Sequence, residues 1–371
     1  MSGGGARAAY HVGVLKAIAE ILPKDSSNPF HIICGTSAGA INAASLATHA
    51  YSFRKSVQRV LSVWRGFHAH HVFKVDLLSI LFTAWQWFLS IVFAGRGRKE
   101  KYLYLLDRGP LRRLLEKYIH TEDIRYSVDQ GHLEALCITA SGFTSNQSVS
   151  FFHANNDKQP WTRFQRIGIR SEITVDHLMA SSAIPFVFAP QKINREHFGD
   201  GSMRQIAPIS PALHLGADKV LVIGNRMEWD KDTDRVKEEG EPTIGEMAGY
   251  ALDSIFLDSL VADIERLTRI NKTISVIPEK YRRKYELQLR HIDVLVIYPS
   301  QDMGELAADY VDELPWTIRF LLGGIGGIRG KESNLISYLL FERGYCRRLI
   351  ELGYQDAMKK KSEILEFLDL S

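Results

Sequence analysis

Ser37 stands in the pattern Gly35-Thr36-Ser37-Ala38-Gly39, after the apolar run Ile32-Ile33-Cys34 and before the small-residue stretch Ala40 to Ala44. A serine flanked by glycines two residues to either side, between an apolar strand and an Ala-rich helix, predicts a sharp strand-to-helix turn that exposes the hydroxyl at the top of a sheet. The glycines are needed because a side chain at either position would collide with the strand or the helix. The helix that follows aims its free amides and positive end at charge developing beside the hydroxyl. Those are the requirements of acyl transfer through a serine nucleophile.

Two further glycine-bearing stretches are candidates for the same chemistry. Gly3-Gly4-Gly5-Ala6-Arg7-Ala8 opens a helical pattern in which Val12, Leu15, Ala19 and Leu22 recur on one face. A glycine run ahead of a helix leaves amides unpaired and able to cradle an anion. From the residues alone it reads as an oxyanion hole beside Ser37, a plain helix-start loop, or a dinucleotide loop of the form Gly-x-Gly-x-x-Ala. Gly199-Asp200-Gly201 places a carboxylate between glycines, which taken alone is a turn signal.

Together and in this order, the three motifs resemble the patatin-like phospholipases. In that family a Gly-Gly-Gly-x-Arg/Lys-Gly loop forms the oxyanion hole, Gly-x-Ser-x-Gly carries the nucleophile, and an Asp-Gly-Gly/Ala motif supplies the partner of a serine–aspartate dyad without histidine. Here the first motif has Ala8 at its last glycine, the second is complete from Gly35 to Gly39, and the third reads Asp200-Gly201-Ser202. The stretch His177 to Phe186, with small residues at 180–183, also resembles the family. The resemblance implies an α/β protein: a three-layer α/β/α fold with a central, mostly parallel sheet and a nucleophile elbow. It implies Ser37 as nucleophile, Asp200 as general base, and Gly3, Gly4 and Gly5 at the oxyanion hole, with Arg7, Gly35, Gly39 and Gly201 supporting the motifs. No metal and no cofactor is needed. The implied substrate is a phospholipid or lysophospholipid, cleaved at its fatty-acyl ester by a phospholipase A or lysophospholipase reaction. Two alternatives remain at this point: a Ser-Asp-His triad using His291 or His214, and a catalytically silent lipid- or protein-binding module of the same fold.

The elements that must position these residues follow an alternating α/β pattern. Residues 134–141 read as a buried strand with 148–152 as its hairpin partner around Ser145-Asn146, and 218–224 and 292–298 as further strands. Helices are expected at 110–120, 205–216, 334–352 and, from the capping box Thr243-x-x-Glu246, over 243–272. The expected organisation is a catalytic domain over 1–300, with an apolar insertion at 72–101, and a C-terminal helical extension over 301–371. Within the insertion, Leu77 to Ala94 carries no charge and includes Trp85, Trp87 and Phe88, followed by Arg96, Arg98, Lys99 and Lys101. As a helix it would reach about 27 Å at ~1.5 Å per residue, against about 30 Å for a hydrocarbon core. It reads as an interfacial lid, a core helix or a span, and the cations after it suit anionic headgroups of a membrane surface.

Composition removes other classes. With 371 residues, 45% of them hydrophobic, the chain can bury a large core, and a net charge of +3 leaves no nucleic-acid footprint. Cys34, Cys137 and Cys346 lack paired spacing, as expected of thiols in a reducing compartment. No secretory pattern opens the sequence, so a cytoplasmic, peripherally membrane-associated protein is expected. His68, His70 and His71 have no carboxylate or cysteine at ligand spacing.

Overall fold

The computed structural model describes residues 1–75, 104–228, 241, 243–285, 287, 289–324 and 334–370. The segment 77–94, the cations at 96–101, most of the charged stretch 226–241 and the glycines Gly326 and Gly327 lie outside the described residues. The strands are β1 (Ile32–Thr36), β2 (Ala135–Gly142), β3 (Ser148–Ala154), β4 (Trp161–Arg163), β5 (Arg166–Arg170), β6 (Gln191–Ile193), β7 (Glu196–Asp200), β8 (Lys219–Ile223) and β9 (Asp293–Ile297). The helices are α1 (Ala9–Ile21), α2 (Ala38–Ala47), α3 (Phe53–Arg65), α4 (Gly109–Tyr118), α5 (Thr121–Asp129), α6 (Val175–Ser181), α7 (Ser210–His214) and α8 (Ile244–Asp253). They continue with α9 (Ser259–Ser275), α10 (Glu279–Lys284), α11 (Met303–Ala308), α12 (Trp316–Gly324), α13 (Asn334–Leu339), α14 (Arg343–Lys359) and α15 (Lys361–Phe367).

β2 is buried along its whole length because both faces of the sheet are covered. Its period-two alternation sends Leu136 and Ile138, with Ile33 of β1, into the main core, and Ala135 and Cys137 toward Phe152, Trp161 and Leu215 on the other face. Seven strands form one sheet and β8–β9 a second. The pairs β1–β2, β3–β5 and β8–β9 are parallel, while β2–β3, β2–β7, β4–β5 and β6–β7 are antiparallel. The sheet is therefore mixed rather than mostly parallel. Short links favour antiparallel pairing, and the β2–β3 turn around Ser145-Asn146, with Asn146 at φ 56°, is one such link.

α14 lies along α1 at a separation set by two glycines: a Cβ on Gly13 would overlap the carbonyl of Ile350, and one on Gly353 that of Tyr10. The expected helix from the capping box is present. Thr243 Oγ1 accepts from the Glu246 amide at 3.2 Å, and α8 runs through a π-turn at Ser254–Asp258 into α9. The helix expected over 205–216 is shorter, only Ser210–His214, with a proline in its first turn. Cys34 and Cys137 face each other across β1–β2, and all three cysteines are free. Among the described residues no helix is long and apolar enough to cross a membrane, and no group of His, Cys, Asp and Glu is arranged to hold a metal ion.

Candidate active site

The turn from β1 into α2 puts Ser37 at φ 54°, ψ −130°, a left-handed conformation that a side-chain-bearing residue adopts only when its surroundings hold it there. Gly35 and Gly39 make the turn possible: a Cβ on Gly35 would overlap Gly39 and Ala40, and one on Gly39 would overlap the carbonyls of Met1 and Ser2. The Ser37 amide donates to Ser181 Oγ at 2.8 Å, and Ser181 donates in turn to the Thr139 carbonyl of β2 at 2.6 Å. On the preceding residue, Thr36 Oγ1 donates to Gln205 Oε1 at 2.9 Å.

β7 pairs with β2 in the register Ala140↔Asp200, which delivers the carboxylate beside the end of β1. Gly201 permits the approach, because a Cβ there would overlap the Thr139 carbonyl and the Thr36 side chain. Asp200 is fully buried. Its Oδ1 accepts from the Ser202 amide at 3.0 Å, and its Oδ2 has no well-formed hydrogen bond. Burial pushes its pKa up to about 6; hydrogen bonding from Ser37 and Ser202 and the charge of Arg108 oppose the rise. The Ser37 side chain lies near enough to favour the ionised carboxylate but makes no well-formed hydrogen bond to it.

The glycine loop is clamped from three sides. Gly4 and Gly5 have φ of 155° and 55°. A Cβ on Gly3 would overlap Ser202 Oγ and Phe256, one on Gly4 would overlap the Asn225 amide, and one on Gly5 would overlap the Tyr338 carbonyl. Asn225 Nδ2 donates to the Gly3 carbonyl, and Asn225 Oδ1 meets His11 Nε2 at 2.7 Å. Burial pushes the His11 pKa down to about 3, so this ring is neutral and donates to Asn225.

Arg7 holds the far side of the loop. Its Nε donates to Ser337 Oγ at 2.7 Å, Nη1 to the Tyr338 hydroxyl at 3.1 Å and Nη2 to Asn334 Oδ1 at 3.2 Å. Asp253 lies 3.4 Å from Nη1 and also accepts from the Tyr338 hydroxyl and the Asn334 amide. The buried guanidinium is held by four hydrogen bonds to these residues.

Ser37 and Gly5 line one cavity whose walls are otherwise mainly apolar: Ile41 of α2, Val63 and Trp64 of α3, Leu115 of α4, Phe188 and Phe341 among them. Gly3 and Gly4 do not line it. The two histidines considered for a triad are engaged elsewhere. His214 stacks on Trp161 with ring centroids 5.0 Å apart, and His291 lies 3.2 Å from Asp293.

Sequence reasoning missed Arg108, Asn225 and Gln205. Arg108 is buried, donates to the carbonyls of Met179 and Ala189, and acts on Asp200 through its charge. Asn225 carried one available signal, its place just beyond the C-terminal end of β8, where α/β proteins concentrate functional residues.

A family model described as patatin-like phospholipase matches residues 1–213, a span that holds Ser37, Asp200 and the glycine loop. No curated protein matches the chain.

Proposed function

Since the chain belongs to the patatin-like phospholipase family, we propose that it cleaves the fatty-acyl esters of phospholipids or lysophospholipids through an acyl-enzyme on Ser37. The observation that carries this reading is the placement of Ser37 beside the buried Asp200 carboxylate and in the wall of a small, mainly apolar cavity of about 80 Å³.

Asp200 Oδ2 takes the proton of Ser37 as the serine oxygen attacks the ester carbonyl. The resulting oxyanion is held by amides of the loop Gly3, Gly4 and Gly5, of which Gly5 is the one beside Ser37 in the cavity. Collapse expels the lipid alcohol, which leaves with the proton from Asp200. Water then attacks the acyl-enzyme, again losing its proton to Asp200, and Ser37 recovers a proton as the fatty acid departs. A carboxylate with an ordinary pKa near 3.9 is a feeble base. Burial that moves Asp200 to about 6 makes it a better one while leaving it ionised at neutral pH.

The lipid surface would be met beside the cavity. Phe186 lies between the cavity-lining residues Ile184 and Phe188 and is 79% exposed. The apolar segment 77–94 and the cations that follow it add, on sequence grounds, an interfacial element. The test is fatty-acid release from phospholipid and lysophospholipid vesicles, read by mass spectrometry. Release by the wild-type chain and none by Ser37→Ala is expected. No release from any such ester by a folded wild-type chain would overturn the reading.

A further inference from the structure

A peptide between two glycines has no side chain to decide which way it faces, so its direction is set by its hydrogen-bond partners. The glycine loop contains two such peptides. The one between Gly4 and Gly5 is fixed within its own turn, because the Arg7 amide donates to the Gly4 carbonyl at 3.1 Å. The one between Gly3 and Gly4 is fixed from a distant element, by Asn225 Nδ2 on the Gly3 carbonyl.

Asn225 is buried just beyond β8, where the Gly224 amide donates to the Ile297 carbonyl of β9 at 3.0 Å. It lies outside residues 1–213, the span that the family model matches. Its side-chain amide is held in one orientation. His11 Nε2 donates to Oδ1 at 2.7 Å, and a reversed amide would set Oδ1 against the Gly3 carbonyl oxygen. His11 is fully buried, and its Nδ1 has no hydrogen-bond partner among the described residues. A buried ring with one nitrogen left open is costly, and the bond it does make goes to Asn225.

The direction matters because of what lies on either side of the loop. The Thr36 amide of β1 donates to the Met1 carbonyl at 3.2 Å, and Ser2 Oγ donates to the Ile223 carbonyl of β8 at 3.2 Å. The loop that follows therefore has Ser37 toward β1 and Asn225 toward β8. In a trans peptide the N–H points opposite to the C=O. With the Gly3 carbonyl drawn to Asn225, the Gly4 N–H is turned away from β8.

We propose that Asn225 is a positioning residue for hydrolysis at Ser37: by drawing the Gly3 carbonyl toward β8 it aims the Gly4 N–H at the oxyanion, and His11 holds Asn225 in the orientation that does so. The proposal rests on the acyl-enzyme reading and adds to it two residues that touch neither the ester nor the nucleophile. It makes the oxyanion donor preorganised, at no cost when charge develops.

The test is Asn225→Asp, which keeps the shape and the acceptor for His11 but puts a carboxylate oxygen where Nδ2 was. In its crystal structure the Gly3–Gly4 peptide is expected to turn over, so that the Gly4 N–H donates to the new carboxylate. On a small soluble ester kcat is expected to fall about a hundredfold with KM within about twofold, the pattern of a contact made only in the transition state. His11→Phe, which fills the space without the donor, should lower kcat about tenfold, and His11→Gln, whose Nε2 can take the place of the ring nitrogen, should recover most of that loss. An unturned peptide or an unchanged kcat in folded Asn225→Asp would overturn the proposal, as would His11→Gln no more active than His11→Phe. Those results, in a chain whose activity is lost in Ser37→Ala, remove this proposal alone. Activity that survives Ser37→Ala removes the acyl-enzyme reading and this proposal with it.

Discussion

The backbone amide of Ser37 is anchored by the hydroxyl of Ser181 at 2.8 Å, a side chain that is itself tied to the Thr139 carbonyl on β2. The left-handed turn at Ser37 is thus held to the centre of the sheet by one buried hydroxyl.

Ser181→Ala is expected to cost about 1–3 kcal/mol in chemical denaturation, because it leaves a buried amide and a buried carbonyl without their partner. The kcat on a small soluble ester should fall at least about tenfold, since Ser37 loses its fixed orientation. An unchanged kcat with lowered stability would confine Ser181 to packing.

The acid limb of the rate profile should report Asp200. The proposed mechanism uses the carboxylate as base, so activity is expected to fall as pH drops through about 6. Arg108→Met removes a charge that favours the ionised form and should move this limb to higher pH, while Arg108→Lys should move it back. Stability runs the other way. A carboxyl whose folded pKa is raised contributes stability below its ordinary value near 3.8, and this is lost as pH rises through about 6. Asp200→Asn should therefore gain about 3 kcal/mol over wild type near neutral pH and almost nothing at about pH 3. An equal difference at both pH values would contradict the raised pKa.

Arg7→Met should destabilise the chain by about 3 kcal/mol, because the carboxylate of Asp253 and the polar groups of Asn334, Ser337 and Tyr338 lose a shared partner. Turnover of phospholipid and of a small uncharged ester should fall together. A loss confined to phospholipid would instead place Arg7 on the substrate phosphate.

Val63→Trp narrows the apolar cavity that Ser37 opens into. Hydrolysis of long-chain esters should fall at least about tenfold with short-chain esters spared. An equal loss for both chain lengths would show that the acyl chain lies elsewhere.

Glycine spacing made much of the site legible, because each motif glycine records a place where two backbones nearly touch: Gly35 against α2, Gly39 against Met1 and Ser2, Gly201 against Thr139. The strands at 135–142 and 148–154 were equally readable from their apolar runs. Arg108, Asn225 and Gln205 were not. Each is a single polar residue with no local pattern, and each acquires its role only when distant elements fold beside it. The proportion of antiparallel pairing was hidden for a similar reason. Apolar runs announce strands, but the direction in which two runs pair depends on the links between them, and β7 pairs with β2 across more than fifty intervening residues.

The most direct test of the account is labelling by a fluorophosphonate probe, followed by peptide mass spectrometry, in wild type, Ser37→Ala and Asp200→Asn. The account predicts a single adduct on Ser37 in wild type, none in Ser37→Ala, and at least about a hundredfold slower labelling in Asp200→Asn. Rapid labelling of Ser37 without the Asp200 carboxylate, or an adduct on a different serine, would contradict it.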